Sequence, residues 1–183
     1  MMLFKSLAVA AALALPGAAA QAATINATEV VNYTPGTFKK VEPGRADASS
    51  ALGAADGSFV SLGLGGSIVL AFATPFRAIG EVVEITYNNK KNHKESADIF
   101  ASVDGITWTL IASVKNYLST GFSASGVYSF LKIVDTTGPK GASFDGFDID
   151  SVSVTPVPVP AAGLLLGGAL LGLGSLRRRK TAA

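Results

Sequence analysis

Between residues 23 and 155 apolar and polar positions alternate in short runs, separated by turns rich in Gly, Asp, Ser and Asn. Ile68, Leu70 and Phe72 fall on one face of an extended chain, and Ala97, Ile99, Ala101 and Val103 on one face of another, because successive strand side chains point to opposite sides. The pattern predicts strands over Thr24–Tyr33, Thr37–Glu42, Ser58–Leu62, Ser67–Phe72, Glu81–Tyr87, Ala97–Val103, Ile106–Val114, Val127–Asp135 and Phe147–Val154. No stretch between the two chain ends carries a helical period, so the expected fold class is all-β, a β-sandwich.

The sharpest local signal is Ser102-Val103-Asp104-Gly105-Ile106-Thr107-Trp108. Asp-Gly between two strand-forming runs suits a type I′ turn, whose central residues need positive φ, so the flanking strands are expected to be antiparallel neighbours. Ile106, Trp108 and Leu110 recur at period two, which places Trp108 against the core edge rather than in a sugar-stacking position.

The two ends break the alternation. Residues 1–22 hold Lys5, the apolar run Leu7 to Leu15 and a close on Ala20-Gln21-Ala22, the parts of a secretory signal peptide cleaved after Ala22. Pro16-Gly17 interrupts the run and argues against a first membrane span. Residues 156–183 read as a Pro-rich stalk, an uncharged Leu/Gly run and a basic stop at Arg177, Arg178, Arg179 and Lys180. Alternating prolines fix φ and remove donors, so the globular domain, 23–155, is expected to end before Pro156. The apolar stretch 161–176 makes a helix of about 24 Å against a hydrocarbon core of about 30 Å, a gap that snorkelling cations close. Its five glycines disfavour a helix in water, so a transmembrane helix is expected.

Val157-Pro158-Val159-Pro160-Ala161, the Leu/Gly run and the terminal cations together resemble the VPLPA-type variant of the PEP-CTERM sorting signals of Gram-negative bacteria. Val159 stands where that variant has leucine. The resemblance implies an exosortase as processing partner, cleavage near the Pro-Ala motif, a transient hold in the membrane through 161–176, and export across the inner membrane to the cell surface or extracellular matrix.

A second resemblance covers most of Asp47 to Val154. The hairpin through Trp108, the upstream Ala55-Asp56-Gly57 loop and the downstream runs Leu131 to Asp135 and Asp145 to Val152 resemble discoidin and galactose-binding-like domains. It implies a jelly-roll sandwich. Related carbohydrate-binding jelly rolls hold a structural calcium with acids of the first and last strands, which nominates Glu29 and Asp150 here. An aromatic-rich loop of the lectin-like members is missing from this chain.

Charge and chemistry narrow the functional classes. Of fifteen cations, Lys5 and the four of the basic stop lie outside 23–155, leaving ten against thirteen acids, a net of −3. A mildly acidic domain offers no basic stripe for nucleic acid. There is no cysteine, which removes disulfides, thiol catalysis and Cys-zinc sites. Gly63-Leu64-Gly65-Gly66 has Ile68 where a dinucleotide loop needs its third glycine, and Gly121-Phe122-Ser123-Ala124-Ser125 lacks the last glycine of a nucleophile elbow. The single histidine, His93, sits in a polar run.

Asp145, Asp148 and Asp150, with Asp56 and Glu29, form the candidate metal set. Closely spaced carboxylates on a Gly-containing loop supply the oxygens calcium requires, although a solvated turn followed by a polar strand face has the same sequence. In the long loop Lys115 to Gly126, Tyr117 and Phe122 are placed either to stack on a sugar ring or to tuck onto the sandwich. The function expected is that of a non-enzymatic exported protein binding polysaccharide. A hydrolase on the same fold and a purely structural matrix component are the alternatives.

Overall fold

A computed structural model describes residues 23–38, 44–85, 94–115, 119–138 and 143–158. The signal peptide, His93, Tyr117, Val159, Pro160, Ala161, the apolar run and the basic stop lie outside the described residues. Eight strands account for most of the rest: β1 (Ile25–Asn26), β2 (Glu29–Thr34), β3 (Val60–Ser61), β4 (Ser67–Glu84), β5 (Ser96–Ser102), β6 (Thr109–Lys115), β7 (Thr120–Asp135) and β8 (Asp148–Pro156). One turn of 3-10 helix, Ala48–Ala51, is capped by the Asp47 side chain, which accepts from the Ser49 amide. Among the described residues no helix is long and apolar enough to cross a membrane.

Every strand pairing is antiparallel, and the hydrogen-bonded order is β1-β8-β4-β7-β5-β6, with β2 on β4 and β3 on β8. The two long strands divide this network into a sandwich. The first part of β4, Ser67 to Ala71, pairs with β2 and with Phe130 to Val134 of β7, which continues to β5 and β6. The second part, Phe76 to Val82, pairs with Thr120 to Tyr128 of β7 and with β8. Between Ala71 and Phe76 the register shifts, and the unpaired Pro75 sits where its missing N–H breaks no ladder bond. Phe72 and Phe76, ring centroids 4.7 Å apart, fill the inside of this bend.

Period-two alternation supplies the core. Ile68, Leu70, Ile99, Leu131 and Ile133 are fully buried and face the opposite layer with Phe76, Phe147, Ile149 and Val152. Each such side chain contributes about 1.5–3 kcal/mol of burial.

The structure corrects the expected elements in several places. Ser67–Phe72 and Glu81–Glu84 are parts of one strand, since the chain bends at Pro75 without leaving the sheet, while residues 86–87 of the second expected strand lie outside the described residues. The strand expected from Val127 starts at Thr120. Of Thr37–Glu42, Thr37 makes only an isolated bridge to Leu64. Ala27 and Thr28 split the first expected strand, the Ala27 amide turning to Val152 O and that of Thr28 to Ala71 O. The sandwich also continues past Thr155. Pro156 pairs with Phe76, and the bond at this point is donated by the Val157 N–H to Pro75 O, so the proline's lost donor is on the other side.

Candidate functional site

Three aspartates of the candidate metal set, Asp56, Asp145 and Asp150, have side-chain oxygens engaged within the fold. Asp150 accepts the backbone amides of Asp56 and Gly57 at 3.1 and 3.0 Å, pinning that loop to β8. Asp56 in turn accepts the amide of Ser58, a local turn bond. Asp145 pairs with the Arg45 guanidinium and lies 3.4 Å from the Ser61 hydroxyl. Glu29 is exposed at the start of β2, opposite Ala71. Among the described residues no three acidic or histidine side chains are gathered as a cation would need. The donor set therefore does not fit calcium, which asks for six to eight oxygens turned to one point.

Asp148 belongs to a different grouping. With Glu84 and Glu95 it forms a knot of buried carboxyls, 3%, 1% and 5% exposed. Burial pushes Asp148 up to about 8, with the Ser61 bond and the Arg45 charge opposing and the charges of Asp145 and Glu84 reinforcing. Burial pushes Glu95 up to about 9, reinforced by Asp148 and Glu84 and opposed by a bond to Ser143. Asp148 Oδ1 and Glu95 Oε2 find no hydrogen-bond partner. Asp148 and Glu95 hold protons at neutral pH, and all three acids are closed off from any polymer.

The aromatic residues exchange roles with respect to the sequence expectation. Phe122 is 5% exposed and packs in the core, its ring beside Gly80, so it is removed as a sugar platform. Trp108 leaves the core. β5 and β6 are antiparallel neighbours as expected, but the connection runs from Val103 to Trp108 rather than through a two-residue turn. Asp104 organises it: Oδ1 accepts from the Ile106 and Thr107 amides, both at 2.8 Å, and from the Ser102 hydroxyl at 2.9 Å. The Ile106 and Thr107 amides pull the Asp104 carboxyl down to about 2, so it stays ionised. Gly105, at φ +74°, seats the loop against the Phe130 ring, and Trp108 lies with its ring 5.9 Å from the Lys132 ammonium.

An open groove of about 460 Å³ results between this loop and β2. Val69, Phe130 and Lys132 make its floor, with Asn32 and Thr34 on one side and Asp104, Gly105 and Trp108 on the other. The floor is the outward face of the sheet: Asn32, Val69, Lys132, Phe100 and Leu110 stand opposite one another across β2, β4, β7, β5 and β6. Its volume is within the range of about 300–1,000 Å³ usual for small-molecule sites.

No family model matches this chain, and no curated protein matches it. Solved structures share its fold. The C-terminal domain of a chitobiase from Bacteroides fragilis superposes with a TM-score of 0.50 at 18% identity, covering 72% of this chain and 94% of that one. The family 32 carbohydrate-binding module of Streptococcus pneumoniae EndoD does so with a TM-score of 0.50 at 14% identity, over 70% of this chain and 95% of that one. The fold they share is a jelly-roll sandwich. Both matches take in nearly the whole of the other domain, so the resemblance seen in the hairpin extends to the complete sandwich.

Within this jelly roll the groove residues other than Asp104, Gly105 and Trp108 were not singled out by sequence pattern. One signal was present: Lys132 is the single charge between Val127 and Val134, at a position whose neighbours Leu131 and Ile133 face inward. A lone cation on the outward face of an otherwise uncharged strand marks that face.

Proposed function

We propose that the protein is an exported carbohydrate-binding protein whose jelly roll holds a polysaccharide in the groove between β2 and the β5–β6 loop. The observation that carries this reading is the composition of the groove. An apolar floor with an aromatic wall matches the C–H faces of a sugar ring, while Asn32, Thr34, Ser67 and the ionised Asp104 offer partners for hydroxyls. That neighbours of the same fold are carbohydrate-binding modules supports it. Canonical glycoside hydrolysis uses two carboxyl groups, and among the described residues Asp104 is the one carboxylate lining the groove, which favours binding over hydrolysis.

Delivery is the role of the two ends. The signal-peptide pattern and the order of stalk, apolar run and cations support export, exosortase processing and display at the surface or in the matrix. Affinity electrophoresis of the purified protein in gels cast with polysaccharides tests the groove: Trp108→Ala is expected to abolish retardation that the unaltered protein shows. Retardation by no polysaccharide would sink the reading and leave a structural matrix role. The intact mass of the released protein tests delivery, and a mature form still ending at Ala183 would exclude processing.

A further inference from the structure

Lys132 gives the groove a charge preference. Its ammonium is held on the outward face of β7, flanked across the sheet by Val69 and Phe100, and is half-buried. Among the described residues Lys132 forms no ion pair; its recorded contact is the Trp108 ring. Asp104 lines the same groove and keeps its negative charge, but its Oδ1 is turned to the Ser102, Ile106 and Thr107 donors of its own loop and it stands on the wall, whereas Lys132 stands on the floor. The floor therefore presents one cation with hydrogen-bonding capacity to spare, between apolar side chains where an arriving anion is less screened than in bulk water. The domain as a whole carries −3, so attraction of a polyanion here is local rather than a property of the surface field.

We infer that the groove selects a uronic-acid polysaccharide, a sugar ring resting on the Phe130 and Val69 floor against Trp108 with its carboxylate on the Lys132 ammonium. This rests on the saccharide reading above and adds the class of sugar. A carboxylate at C5 of a pyranose lies at the ring's edge, so one residue offers a C–H face to the apolar floor and an anion beside it. A charge-assisted bond of this kind is roughly twice as strong as a neutral one.

Calorimetric titration of the full-length protein with polygalacturonate and with alginate, each as the free acid salt and as its methyl ester, decides the point. The acid form of at least one polymer is expected to bind about tenfold more tightly than its ester, a difference of about 1.4 kcal/mol. Lys132→Arg should keep that preference, and in Lys132→Met acid and ester should bind with the same affinity. Both variants keep the basic stop at 177–180, so any polyanion binding there cancels in the comparison. Equal affinity for acid and ester, or a preference that survives Lys132→Met, overturns the inference. So does Lys132-dependent binding of a sulfated galactan with no binding of either uronate. Trp108-dependent binding of neutral glycans without an acid preference overturns this inference alone, whereas no binding to any glycan overturns the saccharide reading with it.

Discussion

Asp135 Oδ1 accepts the backbone N–H of Phe147 at 2.9 Å, tying the end of β7 to the residue that opens β8. The same carboxylate accepts from the amides of Gly65 and Thr137 at 2.9 and 3.2 Å and from the Thr137 hydroxyl at 2.6 Å, and it is 4% exposed. Three loops at this end are thus held by one side chain. Asp135→Ala leaves buried amides without an acceptor and is expected to cost about 3–4 kcal/mol, read as a lower urea midpoint at unchanged slope.

The buried carboxyls set the pH dependence of stability. Asp148 and Glu95 keep their protons in the folded protein up to about 8 and about 9, whereas the unfolded chain releases them near 3.8 and 4.5. Between these limits the folded state binds more protons, so stability falls as pH rises from about 4 to about 9. Asp104, held down to about 2, acts in the opposite sense: its contribution is present above 3.8 and is lost as pH falls towards 2. Melting temperature is expected to peak between about pH 4 and 5. Asp148→Asn with Glu95→Gln should flatten the alkaline side, and an unchanged slope in that double variant would refute the assignment.

Gly80 lies where β4 crosses close to β8. A Cβ at this position would collide with the Ser153 carbonyl oxygen and with the Phe122 ring. Strand backbones cannot part without losing ladder bonds, so Gly80→Ala is expected to destabilise by about 2–3 kcal/mol. Gly53→Ala should cost about 1 kcal/mol, since its φ of +85° is strained for alanine but nothing stands within 4 Å of the new methyl. A chemical-denaturation series of the two separates collision from backbone strain.

Calcium is expected to leave the domain's melting temperature unchanged. Asp150 would have to give up two amides and Asp145 the Arg45 guanidinium, and Asp148 would have to lose the proton that burial keeps on it. Scanning calorimetry with millimolar calcium and with chelator checks this, and an upward shift in calcium would show that these bonds yield.

Strands were legible where inward positions are uniformly apolar, as at Ile68 and Leu70 or Ile99 and Ala101. Period two fixes which face is buried but not where a strand bends, so residues 73–80 fell between two expected strands when Pro75 is a corner of a single one. The aromatic pair shows the same limit. Phe122 faces inward because Gly80 across the ladder leaves it room, a contact more than forty residues away. Trp108 faces outward because Asp104 caps a longer loop than the two-residue turn its Asp-Gly signals, which changes the side on which the chain re-enters the sheet. Glu84, Glu95 and Asp148 lie far apart in sequence, and only the topology makes them neighbours.

The last strand has a mechanical consequence. Tension on the stalk enters at Val157, whose amide is tied to Pro75 O, and passes into β8, which is held along one edge by β4 and along the other by β1 and β3. The pull runs along the strand, so those bonds are loaded together in shear instead of opening one after another. From β4 the load crosses the corner at Phe72 and Phe76 into the half that carries Val69 and the groove. One continuous strand, β4, thus links the end of β8 at Val157 to Val69 on the floor of the groove.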